Sequence, residues 1–190
     1  MIPSTVERRA AYRGAMSRET DVDAARAILR DNFERIRELV LAVTDGLTPE
    51  MSDYRPGPQA NSIAWLIWHL TRVQDDHVSD AADVEQAWTS RGWKERFGFP
   101  FPAGDVGYGQ SSADVAQVHA DAQLLADYHG DVHLATLEYL DEITAGELDR
   151  IVDRRWDPPV TVAVRLVSVI GDCLQHLGQA AYVRGLYESR

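Results

Sequence analysis

The 190 residues suffice for one domain with a substantial core, and 45% hydrophobic with 26% charged residues is ordinary globular composition. A formal net charge of -11, from 19 basic against 30 acidic residues, repels nucleic acid and anionic lipid. No apolar run is long enough to span a bilayer, Met1 to Thr20 lacks the apolar run of a signal peptide, and the single Cys173 excludes an internal disulfide, which together predict a cytoplasmic protein.

Four long helical segments stand out. Residues 1–20 read as an N-terminal extension, and 21–190 as one helical domain. From about Asp21 to Thr44, Ala25, Ile28, Leu29, Phe33, Ile36, Leu39, Val40 and Val43 recur at three- and four-residue steps, until Gly46 and Pro49 end the pattern. A connection holding Arg55-Pro56-Gly57-Pro58 follows. Asn61 or Ser62 can then cap a second helix that continues to about Ala82. From Asp83 to Gln110 the aromatics Trp88, Trp93, Phe97, Phe99, Phe101 and Tyr108 are interleaved with glycines and prolines, without helical or strand periodicity. Such a stretch predicts an ordered loop that either covers the bundle or walls a pocket. A third helix is expected from Ser111 or Ser112 to about Ile143, then a break at Thr144 to Glu147, and a fourth helix from about Thr161 to Tyr187. Long amphipathic helices with no convincing alternating strands predict an all-α bundle.

The second and fourth helices carry the candidate site. Asp172 and His176 are four residues apart on one helix, which places them on one face about 6 Å apart along the axis. His69, among Trp65, Leu66, Ile67, Trp68 and Leu70, can supply a third ligand from a second helix. A carboxylate on an apolar helix needs a metal, a cationic partner or solvent. Three protein ligands leave a position open, as in catalytic metal sites. Arg72, three residues from His69, is placed either to meet an anionic group on a bound molecule or to pair with Asp75 or Asp76. Gln175 and Gln179 flank His176 and can orient it. Cys173 reads as a small core residue. His129 and His133 form another i, i+4 pair, but their polar neighbours Asp127, Gly130 and Asp131 suggest an exposed face. His119 reads as solvated, and His77 as a surface histidine paired with a carboxylate.

The segment Asn61-Ser62-Ile63-Ala64-Trp65-Leu66-Ile67-Trp68-His69-Leu70-Thr71-Arg72-Val73-Gln74-Asp75-Asp76-His77 resembles the second helix of the DinB-like superfamily, in the branch carrying the domain of unknown function numbered 664. Tyr54-Arg55-Pro56-Gly57-Pro58 fits that branch, and Asp172 to Tyr182 resembles its last core helix. The resemblance spans roughly residues 20 to 187. It implies an up-and-down four-helix bundle with an unusual helix order and a divalent metal, zinc or alternatively nickel, held by His69, Asp172 and His176. Asp172 stands where relatives of the mycothiol-dependent maleylpyruvate isomerase carry Glu, one methylene longer. Characterised relatives include thiol S-transferases. Lys94 is the only lysine, and this arginine-rich composition fits an actinobacterial source. The expected co-substrate is therefore mycothiol, attacking a small electrophile, with Arg72 holding a substrate carboxylate. The resemblance also makes a homodimer plausible. The alternatives are a metal- or small-molecule-binding bundle without turnover, and hydrolysis by a metal-activated water.

Overall fold

A computed structural model describes residues 5–190, with side chains from Asp21 onward. Of the expected extension over residues 1–20, residues 1–4 lie outside the described residues, and the backbone from Thr5 is already part of the first helix. Four long helices, α1 (Thr5–Thr44), α3 (Ile63–Ala82), α7 (Ala122–Glu142) and α9 (Val162–Glu188), make the bundle. The short helix α2 (Pro49–Asp53) lies between the first two.

Ser62 caps α3 by accepting from the Trp65 amide at 3.1 Å, as its position before an apolar run predicts. Every residue from Ile63 to Asp75 is buried, so this helix is the centre of the molecule. Around it, α1 contributes Phe33, Ile36 and Val40, and α7 contributes Leu125, Tyr128, Val132 and Leu140. From α9 come Leu166, Val169, Cys173, Leu177 and Ala180. Each set recurs at three- and four-residue steps, the stripe a bundle helix must bury. The rest of α9 is less apolar in context than in composition: Val164, Val167 and Leu174 face solvent.

Inter-helix contacts fix the directions. Arg26 donates to the carbonyls of Leu140 and Ile143 while Arg37 donates to that of Ala126, so α1 and α7 are antiparallel. His69 meets His176 and His77 meets Arg165, so α3 and α9 are antiparallel too. Arg184 donates to the carbonyls of Val43 and Asp45 near the end of α1, which makes α1 and α9 parallel neighbours. It follows that α3 and α7 run the same way, and the chain between them must return the length of the bundle. That return is the aromatic stretch, with α4 (Ala87–Ser90), α5 (Trp93–Phe97) and α6 (Ser112–Val115) in it.

Two expectations are corrected. The third helix is not continuous from Ser112. A capping box between Ser111 and Asp114 starts α6, Val118 then turns into the core, and Asp121 opens α7 by accepting from the Leu124 amide. The second correction lies after α8 (Ala145–Asp149), where β1 (Ile151–Asp153) and β2 (Val160–Thr161) pair antiparallel as a small hairpin. Elements of two or three residues are too short for alternation to reveal.

Candidate metal centre

His69 on α3 and Asp172 and His176 on α9 converge across the α3–α9 interface, their donor atoms all within 4.8 Å of one another. The His69 and His176 rings meet edge to face at 4.7 Å. His176 Nε2 lies 3.6 Å from Asp172 Oδ1. The shorter Asp side chain thus still reaches the cluster.

Each histidine has one nitrogen engaged and one left over. His69 Nδ1 is bonded to the Val106 carbonyl, which fixes the tautomer with Nδ1–H donating and Nε2 available. His176 Nδ1 pairs with Gln179 Oε1 at 3.1 Å, leaving Nε2 toward Asp172. Asp172 Oδ2 is buried and has no hydrogen-bond partner among the described residues. A buried carboxylate oxygen without a partner is costly, and a cation is what such an atom lacks. Two neutral imidazoles and one carboxylate form a donor set of net charge -1, with nitrogen and oxygen ligands suited to a divalent ion of the zinc or nickel kind. The residues present therefore fit a metal.

Protonation states agree with that use. Burial lowers the pKa of His69, and the neighbouring His176 lowers it further. For His176, burial also pulls down, but its contacts with Asp172 and Gln179 and the Asp172 charge outweigh burial and raise its pKa. A metal ion bound there would compete with protons for the same ring nitrogens.

The 103–110 loop lies against the cluster, as the wall alternative for this stretch had it; its hold on His69 is what the sequence did not reveal. Asp105 accepts from the Gly107 amide at 2.7 Å and from Gln110 Nε2 at 2.9 Å, and Gln110 Oε1 in turn accepts from Trp65 Nε1 at 2.7 Å. This chain of bonds holds the Val106 carbonyl against His69. Gly107 sits at φ +96°, and a Cβ there would lie 2.7 Å from His69 Nδ1. Only glycine lets the loop come this close. Trp65 stacks on His69 at 4.5 Å, and Tyr108 stands edge-on to it at 5.1 Å. The one sequence signal was Gly107-Tyr108-Gly109, an aromatic between two glycines.

Arg72 is not brought to the cluster, contrary to expectation. It is fully buried, and its guanidinium donates to Gln86 Oε1 at 2.9 Å, to Tyr128 Oη, and to the carbonyls of Ala103 and Asp105 at 3.3 Å. Asp75 lies 3.6 Å away and in turn accepts from the Ala87 and Trp88 amides and from Tyr128. Arg72 and Asp75 thus pin the aromatic return segment to α3. The pairing half of the sequence reading holds, and the substrate-anchor half does not. His129 and His133 are also corrected: both are buried, His129 completely. Cys173 is buried with its thiol toward the Leu70 carbonyl, and burial pushes its pKa far up.

Geometry and comparison point the same way. The family model described as mycothiol-S-transferase matches residues 28–189. The chain belongs to that family. Among solved structures, the mycothiol S-transferase fold seen here is similar to the conserved protein of locus from Enterococcus faecalis. The identity is 32%, the TM-score 0.80, and the match covers 86% of this chain and 97% of that one. No curated protein matches. The family membership carries the all-α DinB-like bundle with it, as the resemblance implied. No helix among the described residues is long and apolar enough to cross a membrane.

Proposed function

We propose that this protein joins mycothiol, through its sulfur, to a small electrophile, with a divalent ion, zinc in the first instance and nickel as the alternative, held by His69, Asp172 and His176. The observations that carry the reading are the convergence of these three donors and a buried Asp172 Oδ2 without a partner among the described residues. Membership of the mycothiol S-transferase family supports the choice of thiol.

A thiol of pKa about 8.5 is only a few per cent ionised at neutral pH, and a divalent ion lowers that pKa. The chain's own residues prepare the place. Asp172 supplies the negative charge that offsets a dication, and Val106 holds His69 with Nε2 presented. Trp65 and Tyr108 keep one side of the cluster apolar. In the overall reaction a sulfur–carbon bond forms as the electrophile's bond to its leaving group breaks. The thiol proton passes to solvent. Arg72 acts at one remove, by fixing the loop that carries Val106. The reading places the protein in the cytoplasm, where low-molecular-weight thiols are held reduced, and a homodimer remains the family-based expectation for its assembly.

The test combines metal analysis with turnover. The purified parent should hold close to one zinc or nickel per chain and consume monochlorobimane only when mycothiol is present. His69→Ala and His176→Ala should lose both properties while keeping far-UV helicity. Metal without thiol-dependent turnover, or consumption that needs no thiol, overturns the proposal.

A further inference from the structure

A cleft of about 570 Å³ opens between α3, α9 and the β1–β2 hairpin. Asp76 and Asp80 line it from α3, Arg165 from α9, and Asp153, Arg154 and Arg155 from the hairpin and its turn. Helix geometry relates it to the metal cluster. Asp76 lies seven residues beyond His69, and Arg165 seven before Asp172, so each is two turns, roughly 10 Å, along the same helix face. The cluster and the cleft therefore lie about two turns apart along the α3–α9 interface. Tyr108 stands edge-on to His69 at 5.1 Å, at the cluster end.

The lining has a definite chemistry. Three carboxylates are matched by three guanidiniums, and Val84 and Val152 are its apolar members. An anionic ligand would call for excess guanidinium, and a cationic one for excess carboxylate. Balanced donors and acceptors suit a neutral polyol, whose hydroxyls donate to a carboxylate and accept from a guanidinium at once. Arg155 is largely satisfied by Asp153, through bonds of 3.0 and 2.8 Å. Arg165 is not. Its Nη2 is 3.5 Å from Asp153, its Nη1 is shared at 3.3 Å between the two ring nitrogens of His77, and its Nε has no partner among the described residues. The side chain is 16% exposed, so solvent makes up little of that deficit.

We infer that this cleft binds the hydroxyl-rich, sulfur-free end of the thiol co-substrate and thereby sets the sulfur at the His69–Asp172–His176 cluster. The inference rests on the function proposed above. Mycothiol carries its cysteine by an amide on a glucosaminyl-inositol, so a sulfur at the cluster places neutral sugar and cyclitol hydroxyls further along that interface. Arg165 and Asp80 would hold them from opposite walls.

The probe is N-acetylglucosaminyl-inositol, which has no sulfur and no charge, titrated calorimetrically into the full chain. Binding should be measurable in the parent, at least tenfold weaker in Arg165→Met and in Asp80→Ala, and within twofold of the parent in His176→Ala. Asp80 is exposed, so its variant tests the cleft without threatening the fold. No binding to the folded parent, or parent-like binding in both cleft variants, overturns the inference. Because the probe has no thiol, its binding is independent of turnover. Thiol-dependent turnover without probe binding sinks the cleft and leaves the proposed function standing, and probe binding without turnover does the reverse.

Discussion

Gly107→Ala isolates the contribution of the loop to the metal centre. The new Cβ would lie 2.7 Å from His69 Nδ1, 3.1 Å from Trp65 and 3.3 Å from Trp68. All three belong to buried side chains of α3, packed on every side, so none can yield by rotating away. The loop must retreat, taking the Val106 carbonyl off His69 Nδ1. Two costs add. A non-glycine residue held at φ +96° costs about 1–3 kcal/mol of backbone strain, and the lost buried hydrogen bond about 1 kcal/mol. Together that is a large fraction of a typical stability of about 5–15 kcal/mol. For function, freeing the outer nitrogen of a metal-ligating histidine typically weakens metal affinity about 10–100-fold. Zinc affinity measured by competition with a chromophoric chelator should fall in that range, with far-UV helicity retained and the urea midpoint lowered. Gly109→Ala is the control. It has φ +73° but nothing within 4 Å of its Cβ, so it should lose stability while keeping zinc affinity within about threefold. Parent-like zinc affinity in Gly107→Ala would refute the claim that this close approach positions His69.

Three further outcomes follow from buried groups. Arg72→Met strands the Asp75 carboxylate, only 2% exposed, and should cost about 3–5 kcal/mol in urea unfolding. Unchanged stability with a raised KM would instead return Arg72 to the role of substrate anchor. His129 is fully buried with both ring nitrogens unpartnered among the described residues, and burial, with smaller effects from Arg37 and His133, lowers its pKa from 6.5 to about 3. The folded state therefore binds fewer protons than the unfolded state between those values. Its contribution is fully present above pH 6.5 and is lost as pH falls toward 3, at about 1.4 kcal/mol per pH unit and about 5 kcal/mol in all. His129→Phe should remove one proton's worth of slope from urea stability measured between pH 6 and pH 4, and a parent-like slope would show that His129 is not the group responsible. Cys173, buried with its pKa pushed far up, should react with an aromatic disulfide reagent only after unfolding, and fast labelling of the native protein would contradict its placement.

What the sequence made legible was local in the chain. Asp172 and His176 are one helical turn apart, and a carboxylate on a helix with a buried apolar stripe declares its own need for a partner. Ser62 announced the start of α3 because a cap acts on amides two and three residues away. The misreadings have one physical origin, the inference of a side chain's surroundings from its sequence neighbours. His129 was placed on a polar face because of Asp127 and Asp131, yet residues two positions away on a helix point to other sides, and the ring went into the core. Arg72 shares a helix with His69, but which element covers its side of α3 depended on a return segment folding back from more than thirty residues downstream. The break before α7 did leave a signal in Asp121, whose cap was overlooked because the apolar pattern on either side was read as continuous.

The same division separates the ligands from what tunes them. The Asp172–His176 half of the candidate metal set could be found by helical spacing, and His69 by its apolar background and the family resemblance. The groups that orient it could not, because the Val106 carbonyl, the Asp105–Gln110–Trp65 chain of bonds and the bare α-carbon of Gly107 act through space from a loop with no periodicity. A loop of this kind is free to vary in length and composition without disturbing the bundle, provided one carbonyl and one glycine stay in place. Under the proposed function, the wall of the site could then change while the ligand geometry does not.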